Sequence, residues 1–160
     1  MIFVCVGSTN FSFDRLLQMV DELCDDGILP KDGIFAQLGK TSYQPRNYKY
    51  KGIISRGSFL KYIRESDLII THGGTGCIIP ALKLEKKVII VPRLHKYHEQ
   101  IDDHQMEIMN FCTNQGYALG ASTKEDLAET ILNLDKFIPR KFVSNNDKIN
   151  KMIIDYIEAN

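Results

Sequence analysis

Ile2-Phe-Val-Cys-Val-Gly-Ser-Thr-Asn-Phe-Ser-Phe-Asp-Arg15 is the stretch on which the fold turns. An uninterrupted apolar run, Ile2 to Val6, enters Gly7-Ser-Thr-Asn10, which reads as a buried strand passing into a turn. Beyond it Phe13, Leu16, Leu17, Val20, Leu23 and Cys24 recur at spacings of three and four, and Gly27 and Pro30 punctuate the end, so the spacing predicts a helix over 13–24.

The unit repeats. Ile34–Leu38, Gly52–Ser55, Leu68–Thr71, Val88–Val91 and Tyr117–Leu119 read as further strands, and Phe59–Ile63, Gly76–Leu84 and Asp102–Gln115 as helices between them. Thr123 offers an N-cap hydroxyl and Asp126 an acid three residues on, opening a helix through Leu134. Asn145–Ile157 reads as a final amphipathic helix, placing a C-terminal helix at about 145–158, with Ile149, Met152, Ile153, Tyr156 and Ile157 on one face. That face packs on its own sheet or docks a partner. Strands that are nearly all apolar and alternate with helices imply a parallel sheet covered on both faces. The expected class is α/β: a doubly wound, Rossmann-like parallel sheet of about six strands.

The chain of 160 residues fits one domain, 1–160, and is too short for a two-domain enzyme. A hydrophobic fraction of 44% with 25% charged residues argues against disorder and fibrous structure. Lys plus Arg and Asp plus Glu are 20 each, so recognition of nucleic acid by bulk charge is not expected. Cys5, Cys24, Cys77 and Cys112 lack metal-ligand spacing, and no leader precedes the first strand, which reads as reduced thiols in a cytoplasmic protein. No apolar stretch reaches the ~18 to 20 residues that span a bilayer, so membrane contact is expected to be peripheral or through a partner.

Ligands of doubly wound sheets bind beyond the carboxyl ends of the strands. Three unusual segments fall there. Gly7-Ser8-Thr9 precedes a helix, where backbone N–H groups and the positive helix end favour an anion, although a plain capped turn has the same residues. Thr71-His-Gly-Gly-Thr-Gly76 is more distinctive: Gly73, Gly74 and Gly76 let the backbone approach a pyrophosphate and Thr75 adds a hydroxyl. It fits neither GxGxxG nor GxxxxGK[ST]. His72 is placed to donate to a phosphate oxygen or to be satisfied by backbone. The loop from Val91 to Gln105 carries Arg93, His95, His98, Glu99, Gln100, Asp103 and His104; it has no HExxH arrangement, and hydrogen bonding to a hydroxyl-rich ligand suits it better than zinc. Asp102 is accounted for by helix capping and Asp103 partly so; Gln105 is not.

These segments, in this order and spacing, resemble the C-terminal, nucleotide-sugar-binding half of GT-B glycosyltransferases. The likeness runs from residue 1 to about 135 and is densest from Ser66 to Gln105. It is closest to the small separate subunits of that type: the catalytic subunit of the eukaryotic two-part UDP-GlcNAc transferase of asparagine-linked glycosylation, and the bacterial PssE-like proteins of capsule and exopolysaccharide synthesis. MurG is a more distant relative. The resemblance implies a single half-domain that binds a UDP-sugar without metal or cofactor. A membrane-anchored partner would supply the acceptor-binding half and a lipid-linked saccharide acceptor, at the cytoplasmic face of the membrane. It carries Gly7, Ser8 and Thr9 onto the first phosphate-side turn and His72, Gly73, Gly74, Thr75 and Gly76 onto the diphosphate loop, with His72 as the catalytic donor to the leaving group. Asp103, His104 and Gln105 fall on the donor-sugar motif, with Glu99 and Gln100 as a competing pair and backbone near Arg93 a further contact. The glutamate that grips ribose in many single-chain relatives is replaced by Pro80.

The implied activity is inverting transfer of a hexose or N-acetylhexosamine, the base coming from the partner or the interface. A non-catalytic donor-binding or enhancer subunit is the alternative, and a stand-alone epimerase or hydrolase a third class. From Gly33 to Arg64 there is no acid but seven basic residues, Lys40, Arg46, Lys49, Lys51, Arg56, Lys61 and Arg64, interleaved with Tyr43, Tyr48 and Tyr50. Such a segment suits anionic headgroups or an acidic partner, or is a solvated loop with a charge bias.

Overall fold

Six strands, β1 (Ile2–Cys5), β2 (Ile34–Gln37), β3 (Lys49–Lys51), β4 (Leu68–Thr71), β5 (Lys87–Ile90) and β6 (Leu119–Gly120), form one sheet in the order β3-β2-β1-β4-β5-β6. All neighbours are parallel. The computed structural model describes residues 1–143 and 151, so the helix expected at 145–158 lies, apart from Lys151, outside the described residues. Between the strands run α1 (Asp14–Asp25), α2 (Arg56–Glu65), α3 (Thr75–Lys83) and α4 (His104–Asn114), and α5 (Lys124–Leu132) follows β6.

Strand periodicity assigns the two faces. Val4, Val6, Ile70, Ile89 and Val91 pack with Phe13, Leu16, Leu17 and Val20 of α1 and its approach and Leu127 of α5. The alternate residues Phe3, Cys5, Ile69, Val88 and Ile90 pack with Ile63 of α2, Cys77, Ile78 and Ala81 of α3, and Ile108 and Cys112 of α4. Burying both faces is what makes these strands read as continuous apolar runs. The expected doubly wound sheet is the one observed, and its strand order reverses between β1 and β4, the switch point at which such sheets open a ligand crevice.

Two strands differ from expectation by more than one residue at an end. β3 lies at Lys49–Lys51, not Gly52–Ser55, because it is an exposed edge strand and carries no apolar signal, while Ile53 and Ile54 belong to the loop that follows. β6 is Leu119–Gly120 and not Tyr117–Leu119; Tyr117 and Ala118 are the buried approach to it. The capping box at α5 is present, the Thr123 hydroxyl accepting from Asp126 N at 3.1 Å and Asp126 Oδ2 from Thr123 N at 3.2 Å, though the helix ends at Leu132 and a 3-10 turn continues it.

Candidate functional site

β1 and β4 end side by side, with Cys5 paired to Thr71, so the turns that follow them face one another. Between these turns opens a cavity of about 400 Å³. Gly7, Ser8 and Thr9 line one wall and Gly74, Thr75 and Gly76 another, and His72 stands between them. Ile53, Ile54, Arg56 and Phe59 form the third wall.

The imidazole explains two of the glycines. Gly7 has φ +79°, and a Cβ there would stand 2.7 Å from His72 Nε2. A Cβ on Gly74 would collide with the same nitrogen. The Nε2 edge is thus sandwiched between the two turns, a fit that residues with side chains forbid. His72 Nδ1 lies 3.3 Å from Thr71 Oγ1 and 3.4 Å from the Cys5 carbonyl oxygen. Burial, with the charge of Arg93 added, pushes its pKa down to about 3, so the ring is neutral at physiological pH. The Thr71 hydroxyl donates to the Cys5 carbonyl oxygen at 3.0 Å, so the neutral ring donates from Nε2 only when that hydroxyl turns to Nδ1, and in either tautomer it adds a dipole, not a charge, to the site.

α3 starts at Thr75 with Gly74 as its N-cap and no side-chain cap. Its first N–H groups have no acceptor within the helix, and they and the positive helix end face the cavity, an arrangement that suits an anion. Pro80 sits inside this helix and has no N–H to return to Gly76. Thr9 Oγ1, beside the cavity, is buried and has no partner among the described residues.

The remaining site candidates are not among the residues that line this cavity. Arg93 is 1% exposed; its Nη1 donates to the carbonyls of Phe11, Ser12 and Glu99 at 2.9, 3.1 and 3.2 Å, and Nη2 to Val6 O at 2.7 Å. It braces the Gly7 turn from inside. Glu99 is gripped by Arg15 through two bonds of 2.8 Å and accepts from Leu94 N at 3.0 Å. Gln100 is buried and accepts from Ile101 N. Asp102 accepts from His104 N at 3.0 Å, at the start of α4, whereas Asp103 accepts from His95 N at 2.8 Å and fixes the loop. His104 Nδ1 lies 3.2 Å from Glu107 Oε2. Gln105, fully buried, accepts from Gly73 N at 2.9 Å and Arg93 N at 3.1 Å through Oε1. Those two donors fix the orientation of its amide, and its Nε2 has no partner among the described residues. Gly73 packs so closely on α4 that a Cβ would lie 2.8 Å from the Gln105 carbonyl oxygen. Among the described residues no group of three His, Cys, Asp or Glu is arranged to hold a metal ion.

Gln37, which the sequence did not single out, ends β2 and clamps the first turn. It accepts from Gly7 N at 3.2 Å and donates to Gly7 O at 2.9 Å and Gly52 O at 3.2 Å. The available signal was a polar residue closing an apolar strand at the carboxyl edge of the sheet. Within the basic segment, Arg46 pairs with Asp25 at 3.0 Å and Lys61 lies 3.8 Å from Glu65. Tyr43 donates to Asp21 and Tyr48 to Leu17 O, leaving Tyr50 as the exposed tyrosine of the three.

A doubly wound half-domain with paired glycine turns at its switch point is the architecture of one half of a GT-B glycosyltransferase cleft. The profile of the glycosyltransferase family 28 C-terminal domain matches residues 1–156, and the chain belongs to that family. It is 34% identical over 100 residues to the UDP-N-acetylglucosamine transferase subunit ALG13 of Candida albicans, covering 62% of this chain and 31% of that protein. To the subunit of the same name from Candida glabrata it is 28% identical over 114 residues, covering 69% and 56%. The chain therefore spans between about a third and a little over half of the length of these curated relatives. In fold it is similar to an NMR solution structure of ALG13, with a TM-score of 0.62 at 21% identity over 94% of this chain and 93% of that one. The forosaminyltransferase SpnP gives a TM-score of 0.56 at 16% identity, over 85% of this chain and 36% of its own.

Proposed function

We propose that this chain is the UDP-sugar-binding, catalytic subunit of a two-component inverting glycosyltransferase. It would transfer a hexose or N-acetylhexosamine to a lipid-linked saccharide presented by a membrane-anchored partner. The observation that carries this is the cavity at the switch point, where the Gly7–Thr9 turn, the His72 ring edge and the first turn of α3 surround one space. The apolar wall of Ile53, Ile54 and Phe59 suits a base, and Arg56 adds a positive charge at the rim. The relatives named as subunits of a UDP-N-acetylglucosamine transferase support that donor as the first to test.

Cleavage of the bond between sugar and phosphate builds negative charge on the departing diphosphate. The fixed N–H dipoles of α3 oppose that charge, joined by His72 Nε2–H when the Thr71 hydroxyl turns from the Cys5 carbonyl to Nδ1, and loss of one such donor costs about 2.7 to 4 kcal/mol in the transition state. Arg93, Gln105 and Glu99 hold the turns in register without reaching the cavity themselves. A neutral, enclosed His72 is not the base that deprotonates the acceptor, which supports a base on the partner or at the interface.

No helix among the described residues is long and apolar enough to cross a membrane, which is consistent with recruitment to the cytoplasmic face by the partner. The resemblance of the Val91–Gln105 loop to the PssE-like proteins supports capsule or exopolysaccharide assembly as the setting to test. The test is transfer of labelled sugar from UDP-N-acetylglucosamine, with UDP-glucose and UDP-galactose alongside, to lipid-linked acceptor in membranes containing the partner. His72→Ala is expected to lower transfer by about a hundredfold. Full activity of that variant would favour the non-catalytic enhancer subunit.

A further inference from the structure

Two thiols meet beneath the candidate site. Cys5 ends β1 and Cys77 lies in the first turn of α3; their sulfurs are 3.0 Å apart, and both side chains line the cavity. The pair therefore joins the two elements that carry the phosphate-facing turns. From this geometry we infer that Cys5 and Cys77 are a site of reversible oxidation by hydrogen peroxide, and that the disulfide between them lowers affinity for the nucleotide.

The chemistry balances in two steps. The Cys5 thiolate attacks one oxygen of the peroxide, the O–O bond breaks, and sulfenic acid and hydroxide form. The Cys77 sulfur then attacks the sulfenic sulfur, the S–O bond breaks, and the disulfide forms with loss of water. The surroundings divide these roles. Burial pushes the Cys5 thiol up, but hydrogen bonding from Cys77, the Gly7 N–H and Thr71, with the charge of Arg93, brings it below its ordinary value. The Cys77 thiol is held well above its own by its bond with Cys5 and by burial. Burial also pushes Cys24 and Cys112 up to about 11, so neither competes.

A disulfide bond is about 2.05 Å long, so closing it draws the sulfurs together by about 1 Å. That motion pulls the first turn of α3 toward β1 and removes the hydrogen that Cys5 Sγ shares with Gln37 Oε1 at 3.4 Å. Gln37 in turn holds both backbone groups of Gly7. Oxidation thus disturbs the two phosphate-facing turns together.

The affinity part rests on the proposed UDP site; the thiol part does not. The full chain is treated with peroxide, alkylated in denaturant and mapped by mass spectrometry, and UDP is titrated into reduced, oxidised and dithiothreitol-recovered protein. Expected are a loss of about 2 Da confined to a Cys5–Cys77 peptide pair, a roughly tenfold loss of UDP affinity, and recovery on reduction. Cys77→Ala should stop at a sulfenic acid that dimedone traps, and Cys5→Ser should form no disulfide. A different disulfide, or none at peroxide doses that oxidise methionine, overturns the inference, and so does unchanged UDP affinity in the disulfide form. Reduced protein that ignores UDP contradicts the donor-site reading instead, while the peptide map still decides the thiol chemistry.

Discussion

Replacing Gln37, which lines the cavity beside Gly7, should loosen the first phosphate-facing turn. Gln37 is 5% exposed and makes three bonds to backbone, two of them to Gly7 and one to Gly52. Gly52 is exposed and finds water when its partner goes, whereas Gly7 is half-buried and its N–H and C=O lose partners that water replaces only in part. At about 1 kcal/mol for each, Gln37→Leu should destabilise the fold by about 2 kcal/mol. With a urea slope of about 2 kcal/mol/M for a chain of this size, the midpoint should fall by about 1 M. UDP affinity should fall roughly tenfold, because the Gly7–Thr9 turn has to be ordered on binding. Gln37→Glu sharpens the test. It keeps an acceptor for Gly7 N but sets a carboxylate oxygen against the Gly7 and Gly52 carbonyls, so the folded state favours the protonated acid. Its stability deficit should therefore shrink as pH falls from about 8 to about 5. A midpoint and an affinity unchanged in Gln37→Leu would refute the clamp.

Other consequences follow from the same geometry. His72 has its pKa lowered from 6.5 to about 3 by burial and by Arg93, so an unfolded chain takes up a proton near pH 6.5 that the folded chain refuses. Its contribution is complete above pH 6.5 and is lost as pH falls toward 3, by about 3 kcal/mol at pH 4; denaturant midpoints across this window should flatten in His72→Gln, and parallel curves would contradict the assignment. Gly74→Ala places a methyl group against His72 Nε2 and should abolish measurable UDP binding by calorimetry, an affinity within twofold of the parent being the contrary result. Thr123→Ala removes the capping box of α5, away from the cavity, and should cost about 1 kcal/mol in urea denaturation while leaving UDP affinity as it was.

Much of this was legible from residue order alone. Leu68–Thr71 is buried at every position, and its apolar run fixed both ends of β4. The glycine turn after it was visible because a strand, three glycines and the start of a helix follow one another within nine residues of chain, Leu68 to Gly76. β3 was misplaced for the converse reason: Lys49-Tyr-Lys51 is paired on one side only and exposed, so its strand character comes from Phe35 to Gln37 across the ladder. The same misplacement concealed Ile53 and Ile54 as cavity lining. The roles of Arg93, Glu99 and Gln105 were also out of reach. Their partners stand far off in sequence, Val6 for Arg93, Arg15 for Glu99 and Gly73 for Gln105, and a polar residue that braces a site has the same composition as one that touches a substrate.

The most direct test of the donor-site account is calorimetric titration of the purified, reduced chain with UDP in the presence of EDTA, with ADP and GDP as controls. The account predicts selective UDP binding that needs no metal and is lost in Gly74→Ala. Preference for ADP or GDP, or equal binding of all three, would contradict it.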